Sequence, residues 1–183
     1  MIKGVVFDRD GTLINYIPYL SKVGDVVLYP GVIEACHQLK DAGIQLFIAT
    51  NQSGIGRGLY SEQDYLVVAN YIERLFESNG ITIQKTYYCP HHPEHGQGKY
   101  RQESNDRKPN PGMLLNIMAD FDLAPDEIIM VGDSVVDIEA AKNAGIRSAL
   151  VRTGLGLDAH HSISPDYIGE DVSDVVNNYI LML

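Results

Sequence analysis

The chain has 183 residues, 45% of them hydrophobic, and a net charge of −10 from 24 acidic and 14 basic side chains. That length fits one domain, residues 1–183, with a single sizeable core; no apolar run is long enough to span a bilayer, and the acidic average argues against nucleic acid or anionic membrane as a partner. Two cysteines, Cys36 and Cys89, make no disulfide framework, and MIKGVVFDRD has no signal-peptide pattern, so the expected compartment is the reducing cytoplasm; a monomer is the default expectation.

Strand-like and helix-like segments alternate along the chain. Gly4 to Phe7 reads as a short buried strand. Gly31 to Ala42 is helical, with Val32, Ala35, Cys36 and Leu39 on one face and Gly43 beyond its end. Ile44 to Ala49 is a second buried strand. Ser61 opens a helix to about Glu77, with Asp64 completing an approximate capping box. Ile81 to Tyr88 is a third strand, and a polar loop rich in His and Gly follows from Cys89 to Asn110. Pro111 suits the first turn of a helix to about Phe121. Ile128 to Val131 is the fourth strand, Ser134 to Ala144 a helix closing on Gly145, and Ile146 to Val151 the fifth strand. Tyr167-Ile168 is a short last strand before a C-terminal helix from Ser173. This order predicts an α/β fold, a three-layer Rossmann-like parallel sheet with helices on both faces. Ligands bind such sheets beyond the carboxyl ends of their strands.

Four polar constellations fall at strand ends or in the long loop. In Asp8-Arg9-Asp10-Gly11-Thr12 two carboxylates leave a strand on the same side, so one can attack phosphorus while the other handles a proton; the same residues also suit an ordinary turn. In Thr50-Asn51-Gln52-Ser53-Gly54 a hydroxyl and the following amides can hold a phosphoryl oxygen, with Gly54 permitting close approach. Arg107-Lys108-Pro109 concentrates positive charge in an acidic chain: Lys108 as a point charge on a phosphoryl group, Arg107 as a planar fork for a second anion. In Gly132-Asp133-Ser134-Val135-Val136-Asp137, Asp133 stands where a hard cation takes oxygen ligands. Asp137 could orient Lys108 or a metal water, or simply serve the helix N-terminus.

Together these residues resemble the haloacid dehalogenase superfamily of phosphohydrolases: Asp8 and Asp10 match its first motif, Thr50 its second, Lys108 its third, and Asp133 with Asp137 its fourth. The strings FDRDGTL, TNQSGIGRG, YYCPHHP, RKPNPGM and MVGDS are similar to the heptose bisphosphate phosphatase family within it, related to the histidinol phosphatases. The resemblance implies a small sugar bisphosphate as substrate and Mg²⁺ as cofactor, held by Asp8, the Asp10 backbone carbonyl and Asp133. It implies Asp8 as nucleophile, Asp10 as acid and base, Thr50 and Lys108 as a catalytic clamp with Asn51, Gln52 and Ser53, and Arg107 on the distal phosphate with Arg57 as a second candidate.

The chain departs from that family twice. A zinc loop of the form Cys-x-His then Cys-x-Cys is met by Cys89 and His91 but then reads Ser104-Asn105-Asp106; His92, His95 and Asp106 could substitute, and a zinc-free loop is the expectation because structural zinc needs four good ligands. After the first motif, an Asn-x-Asp-x-Gly-Tyr pattern is replaced by Ile14-Asn15-Tyr16-Ile17-Pro18-Tyr19-Leu20. No segment is long enough for a large cap domain, so any lid is loop, at Ile14 to Val26 and Cys89 to Asn105. Polynucleotide 3′-phosphatases share the DRDGT and TNQ strings, against which the net charge speaks. A non-catalytic sugar-phosphate-binding protein would not need Asp8, Asp10 and Lys108 together.

Overall fold

In the computed structural model, which describes residues 1–155 and 164–183, the short apolar runs form a six-stranded parallel sheet. Its strands are β1 (Gly4–Phe7), β2 (Gln45–Asn51), β3 (Ile83–Cys89), β4 (Ile128–Gly132), β5 (Arg147–Val151) and β6 (Tyr167–Gly169), in the order β3-β2-β1-β4-β5-β6. The helices are α1 (Val32–Asp41), α2 (Ser53–Gly56), α3 (Glu62–Ser78), α4 (Gly112–Phe121), α5 (Val135–Ala144) and α6 (Val172–Asn178).

The period-two alternation of the strands sorts the core into two layers. Val5, Phe7, Leu46, Ile48, Ile129 and Val131 pack with the apolar stripes of α1, α3 and α6. Val6, Phe47, Ala49, Ile128 and Met130 point the other way, onto Met113, Leu114 and Ile117 of α4 and Ala140 and Ala141 of α5. A parallel sheet covered on both faces needs strands that are apolar throughout, and all four residues of β1 are buried. The three-layer α/β expectation is met.

Local signals explain the helix starts. Ser61 caps α3 by accepting from the Asp64 amide at 3.1 Å, and Asp64 accepts in return from the Ser61 amide at 2.9 Å. Pro111 precedes α4, and Gly145, left-handed at φ 72°, ends α5. Two boundaries differ usefully from expectation. β2 continues through Thr50 and Asn51, paired with Tyr88 and Cys89 of β3, so Thr50 is inside the strand end rather than after it. The four-residue α2 is too short to show a periodic pattern.

The chain order along the sheet reverses between β1 and β4. Connections leaving those two neighbouring strands diverge, and the crevice between them is where such a sheet binds ligands. Both gaps expected to supply lids are loops with single 3-10 turns, Val23–Asp25 and Gly98–Tyr100.

Candidate active site

The carboxyl ends of β1, β2 and β4 deliver the polar residues to this crevice. Asp8 follows β1, its amide bonded to Val131 O of β4 at 2.9 Å. Gly11 then turns at φ 93°, a conformation open to glycine, and a side chain there would collide with the Asp133 carboxylate. Asp133 follows β4, and its Oδ2 accepts from the Leu155 amide at 2.7 Å.

Lys108 is the hub, although it lies in a loop far along the sequence. The residue is 2% exposed, and its ammonium donates to Asp8 Oδ1 at 2.6 Å, Asp137 Oδ1 at 2.6 Å and Ala49 O at 2.7 Å. Asn51 fixes the main chain beneath it. Asn51 Nδ2 donates to Lys108 O at 2.9 Å, and the Lys108 amide donates to Asn51 Oδ1 at 3.0 Å. The second oxygen of Asp137 accepts from the Ser134 amide at 3.0 Å and the Ser134 hydroxyl at 2.5 Å. Both sequence readings of Asp137 therefore hold at once: one oxygen serves the start of α5 and the other orients Lys108.

The electrostatics are those of crowded acids. Burial, opposed by Lys108 and reinforced by Asp137, Asp133 and Asp10, holds the Asp8 carboxyl well above the usual range. Burial and then the Asp137 charge push Asp133 up to about 7. Burial works to lower Lys108, but Asp137 and Asp8 outweigh it and the ammonium stays protonated above its ordinary range. Oxygens of Asp8, Asp133 and Asp137 can all lie within 4.8 Å of one another, the one such group of His, Cys, Asp or Glu among the described residues. Three buried acids share one buried lysine, so a hard divalent cation with oxygen preference fits the site.

Asp10 points elsewhere. Its carboxylate accepts from Arg9 Nε at 3.0 Å, Arg9 Nη2 at 3.1 Å and Gln52 Nε2 at 3.0 Å. Gln52 Nε2 also donates to Thr50 Oγ1 at 2.8 Å, and Tyr60 OH donates to Gln52 Oε1 at 2.7 Å. Gly54 is small for a reason the strand-end pattern does not reveal: a side chain there would strike the Tyr60 ring. The Gln52 amide is already bonded to Cys89 O at 2.8 Å, so this residue enters the site through its side chain rather than through an amide nest.

A cavity of about 130 Å³ lies among Asp8, Asp10, Thr50, Lys108 and Asp133. Beside it a larger one, about 410 Å³, is bounded by Arg9, Asp10, Asn51, Gln52, Ser53 and Tyr60 on one side and Tyr16 to Leu20 on the other. The first expected lid thus borders the site. The second packs on the α2–α3 connection, with Gln97 N on Gly56 O at 2.7 Å and Tyr100 OH on Glu62 Oε2 at 3.0 Å, and it borders neither cavity.

Proteins of known activity are similar to this chain in sequence and fold. A D-glycero-beta-D-manno-heptose-1,7-bisphosphate 7-phosphatase from Haemophilus ducreyi is 39% identical over 95% of this chain and 96% of its own. The chain belongs to the heptose-1,7-bisphosphate 7-phosphatase family. A D-glycero-alpha-D-manno-heptose-1,7-bisphosphate 7-phosphatase from Burkholderia mallei is also 39% identical, over 81% of this chain and 79% of its own. A crystal structure of D,D-heptose 1,7-bisphosphate phosphatase from B. bronchiseptica, complexed with magnesium and phosphate, is 27% identical with a TM-score of 0.87 over the whole of both chains. The family model "HAD-hyrolase-like" matches residues 105–175.

The cavities and contacts sort the expected residues by place. Asp8, Asp10, Thr50, Asn51, Gln52, Lys108 and Asp133 border the smaller cavity or bond to residues that do. Ser53 borders the larger one, and Arg107 stands apart, donating to His91 O at 3.3 Å. At the Cys89 loop, Cys89 Sγ is 3.8 Å from His91 Nδ1, while His92 Nδ1 accepts from the amides of Glu94 and His95 at 3.2 and 3.1 Å. Two residues escaped the sequence reading: Arg9, whose motif position carried no sign of where it points, and Tyr60, which only the fold brings to Gln52.

Proposed function

We infer that this chain is a Mg²⁺-dependent phosphatase that hydrolyses the 7-phosphate of D-glycero-D-manno-heptose 1,7-bisphosphate, in heptose supply for lipopolysaccharide or another surface glycan. The observation that carries the reading is the Asp8–Lys108–Asp133 cluster at the β1/β4 crevice, in a chain 39% identical over 95% of its length to a 7-phosphatase of this sugar.

The roles proposed for the residues are those the resemblance implies, and the contacts around Asp8, Asp10 and Lys108 support them. Asp8 attacks phosphorus and forms an aspartyl-phosphate as the heptose oxygen leaves. Asp10, free of Lys108, donates the proton to that oxygen and then takes one from the water that cleaves the acyl phosphate. Thr50 and Lys108 hold phosphoryl oxygens, with Asn51 keeping Lys108 in place and Gln52 and Ser53 bordering the sugar side. Asp8, Asp133 and the Asp10 carbonyl would hold Mg²⁺, which neutralises phosphoryl charge when bound.

The distal phosphate is assigned to Arg107. Burial and the neighbouring Arg57 charge both depress the Arg107 guanidinium, so two cations repel each other there, and an anion between them would relieve that repulsion. Arg57 lies against the Tyr19 ring at 5.7 Å, beside the larger cavity. We place the protein in the cytoplasm, which the two free, buried cysteines support, and take a monomer as its default state; no described helix is long and apolar enough to cross a membrane.

The reading is tested by phosphate release from both anomers of the heptose 1,7-bisphosphate, histidinol phosphate and a 3′-phosphorylated oligonucleotide, with Mg²⁺ present. A heptose bisphosphate should be the preferred substrate; faster cleavage of the oligonucleotide would reverse the assignment. Arg107→Ala should weaken a bisphosphate about tenfold or more relative to the matching monophosphate, measured as kcat/KM for each.

A further inference from the structure

We propose that Arg9 is a positioning residue for the reaction: its buried guanidinium holds the Asp10 carboxylate in the orientation that proton transfer to the leaving sugar oxygen requires. The proposal rests on Asp10 acting as acid and base, as argued above.

Arg9 sits between the two aspartates of the first motif, yet its side chain is 2% exposed. It is therefore not a surface cation left over from a loop. Its guanidinium lies over the Tyr65 ring at 5.5 Å, a packing that suits a planar, weakly hydrated cation better than an ammonium. Its directed bonds go to one residue. Nε donates to Asp10 Oδ2 at 3.0 Å and Nη2 to Asp10 Oδ1 at 3.1 Å, a two-pronged grip on both oxygens. The remaining nitrogen, Nη1, has no hydrogen-bond partner among the described residues. Burial works against the charged form of Arg9, and Asp10 is the largest influence that restores it.

The rest of the network agrees on orientation. Gln52 Nε2 donates to Asp10 Oδ2 at 3.0 Å, and Tyr60 OH fixes which end of the Gln52 amide faces Asp10 by donating to its oxygen at 2.7 Å. A carboxylate gripped on both oxygens cannot rotate about its last torsion. It is also kept away from Lys108, which bonds Asp8 and Asp137 instead. The two aspartates are thus given separate cations, one for the nucleophile and one for the acid–base group.

The experiment is a double-mutant cycle on the full chain with Mg²⁺, using Arg9→Met, Asp10→Asn and the pair, with heptose bisphosphate as substrate and thermal unfolding followed for each. Methionine keeps an unbranched apolar stem against Tyr65 and removes the fork. The expected result is a fall in kcat of about ten- to a hundredfold for Arg9→Met with KM changed less than about threefold. In the Asp10→Asn background the same change should cost almost nothing further, because there is no carboxylate left to orient. Should Arg9→Met fail to fold, Arg9→Lys carries the same cycle: it keeps the buried charge but not the two-pronged grip, and kcat should again fall with KM nearly unchanged. A folded Arg9 variant with parental kcat, or a loss that multiplies fully with Asp10→Asn, overturns the proposal. An Asp10→Asn enzyme with parental kcat overturns the acid–base reading and this proposal with it; an impaired Asp10→Asn beside an unimpaired Arg9 variant overturns this proposal alone.

Discussion

Lys108 is bonded to two acids and a carbonyl, so its ammonium is fixed before substrate arrives. A preset charge of that kind costs no reorganisation during reaction. Asp8, pinned by the same lysine at a strand end, is the proposed nucleophile, and Asp8→Asn should lower turnover by about a thousandfold or more while thermal unfolding stays cooperative. Activity near the parental level in that variant would remove Asp8 from the role. Asn51 is the less obvious residue. Asn51→Ala would leave the Lys108 amide and carbonyl without the partners they have here, at a stability cost of about 1–3 kcal/mol. Because Lys108 would also lose its fixed seat, kcat should fall by about tenfold or more, which steady-state kinetics on a stable Asn51→Ala sample would check.

The helices contribute through their ends. At α5 the same carboxylate that caps the helix, Asp137, supports the Lys108 ammonium, so helix start and candidate site are one construction. At α3 the capping box of Ser61 and Asp64 is exposed and lines neither cavity of the crevice. Ser61→Ala should therefore cost about 1 kcal/mol of stability and lower the melting temperature by about 2–4 °C, with kcat unchanged. A matched loss of activity would mean that α3 transmits strain to Tyr60 and Tyr65. The 17-residue α3, with its capping box and buried stripe, was legible from sequence. The four-residue α2 was not, because one turn has no period to detect.

At the scale of the molecule, the −10 net charge and a phosphorylated substrate are compatible because two of the positive charges are buried at the crevice. Lys108 and Arg9 are each 2% exposed. The excess of acids beside them links metal, pH and stability. Asp133 ordinarily titrates near 3.8 and is pushed up to about 7 here. Between those values the folded, metal-free chain holds a proton that the unfolded chain has lost, so this group's contribution to stability falls as pH rises through that window. Mg²⁺ needs the ionised carboxylate. The melting-temperature gain from Mg²⁺ over a chelated sample should accordingly be small near about pH 5 and larger near about pH 8; a gain that does not grow with pH would detach Asp133 from the metal.

Sequence alone determined the layered parallel fold and the strand ends that carry Asp8, Thr50 and Asp133, because burial on both faces of a sheet demands apolar runs and polar residues are tolerated only where the strands stop. It also placed Lys108 among the site residues by its motif. Tertiary structure decided the partnerships. Whether Arg9 pointed to solvent or to Asp10, whether Asp137 served its helix or Lys108, and whether Gly54 made room for an anion or for Tyr60 all depended on groups far apart in the chain. Their pairing is decided by which contacts survive desolvation together, a quantity that no local pattern of residues contains.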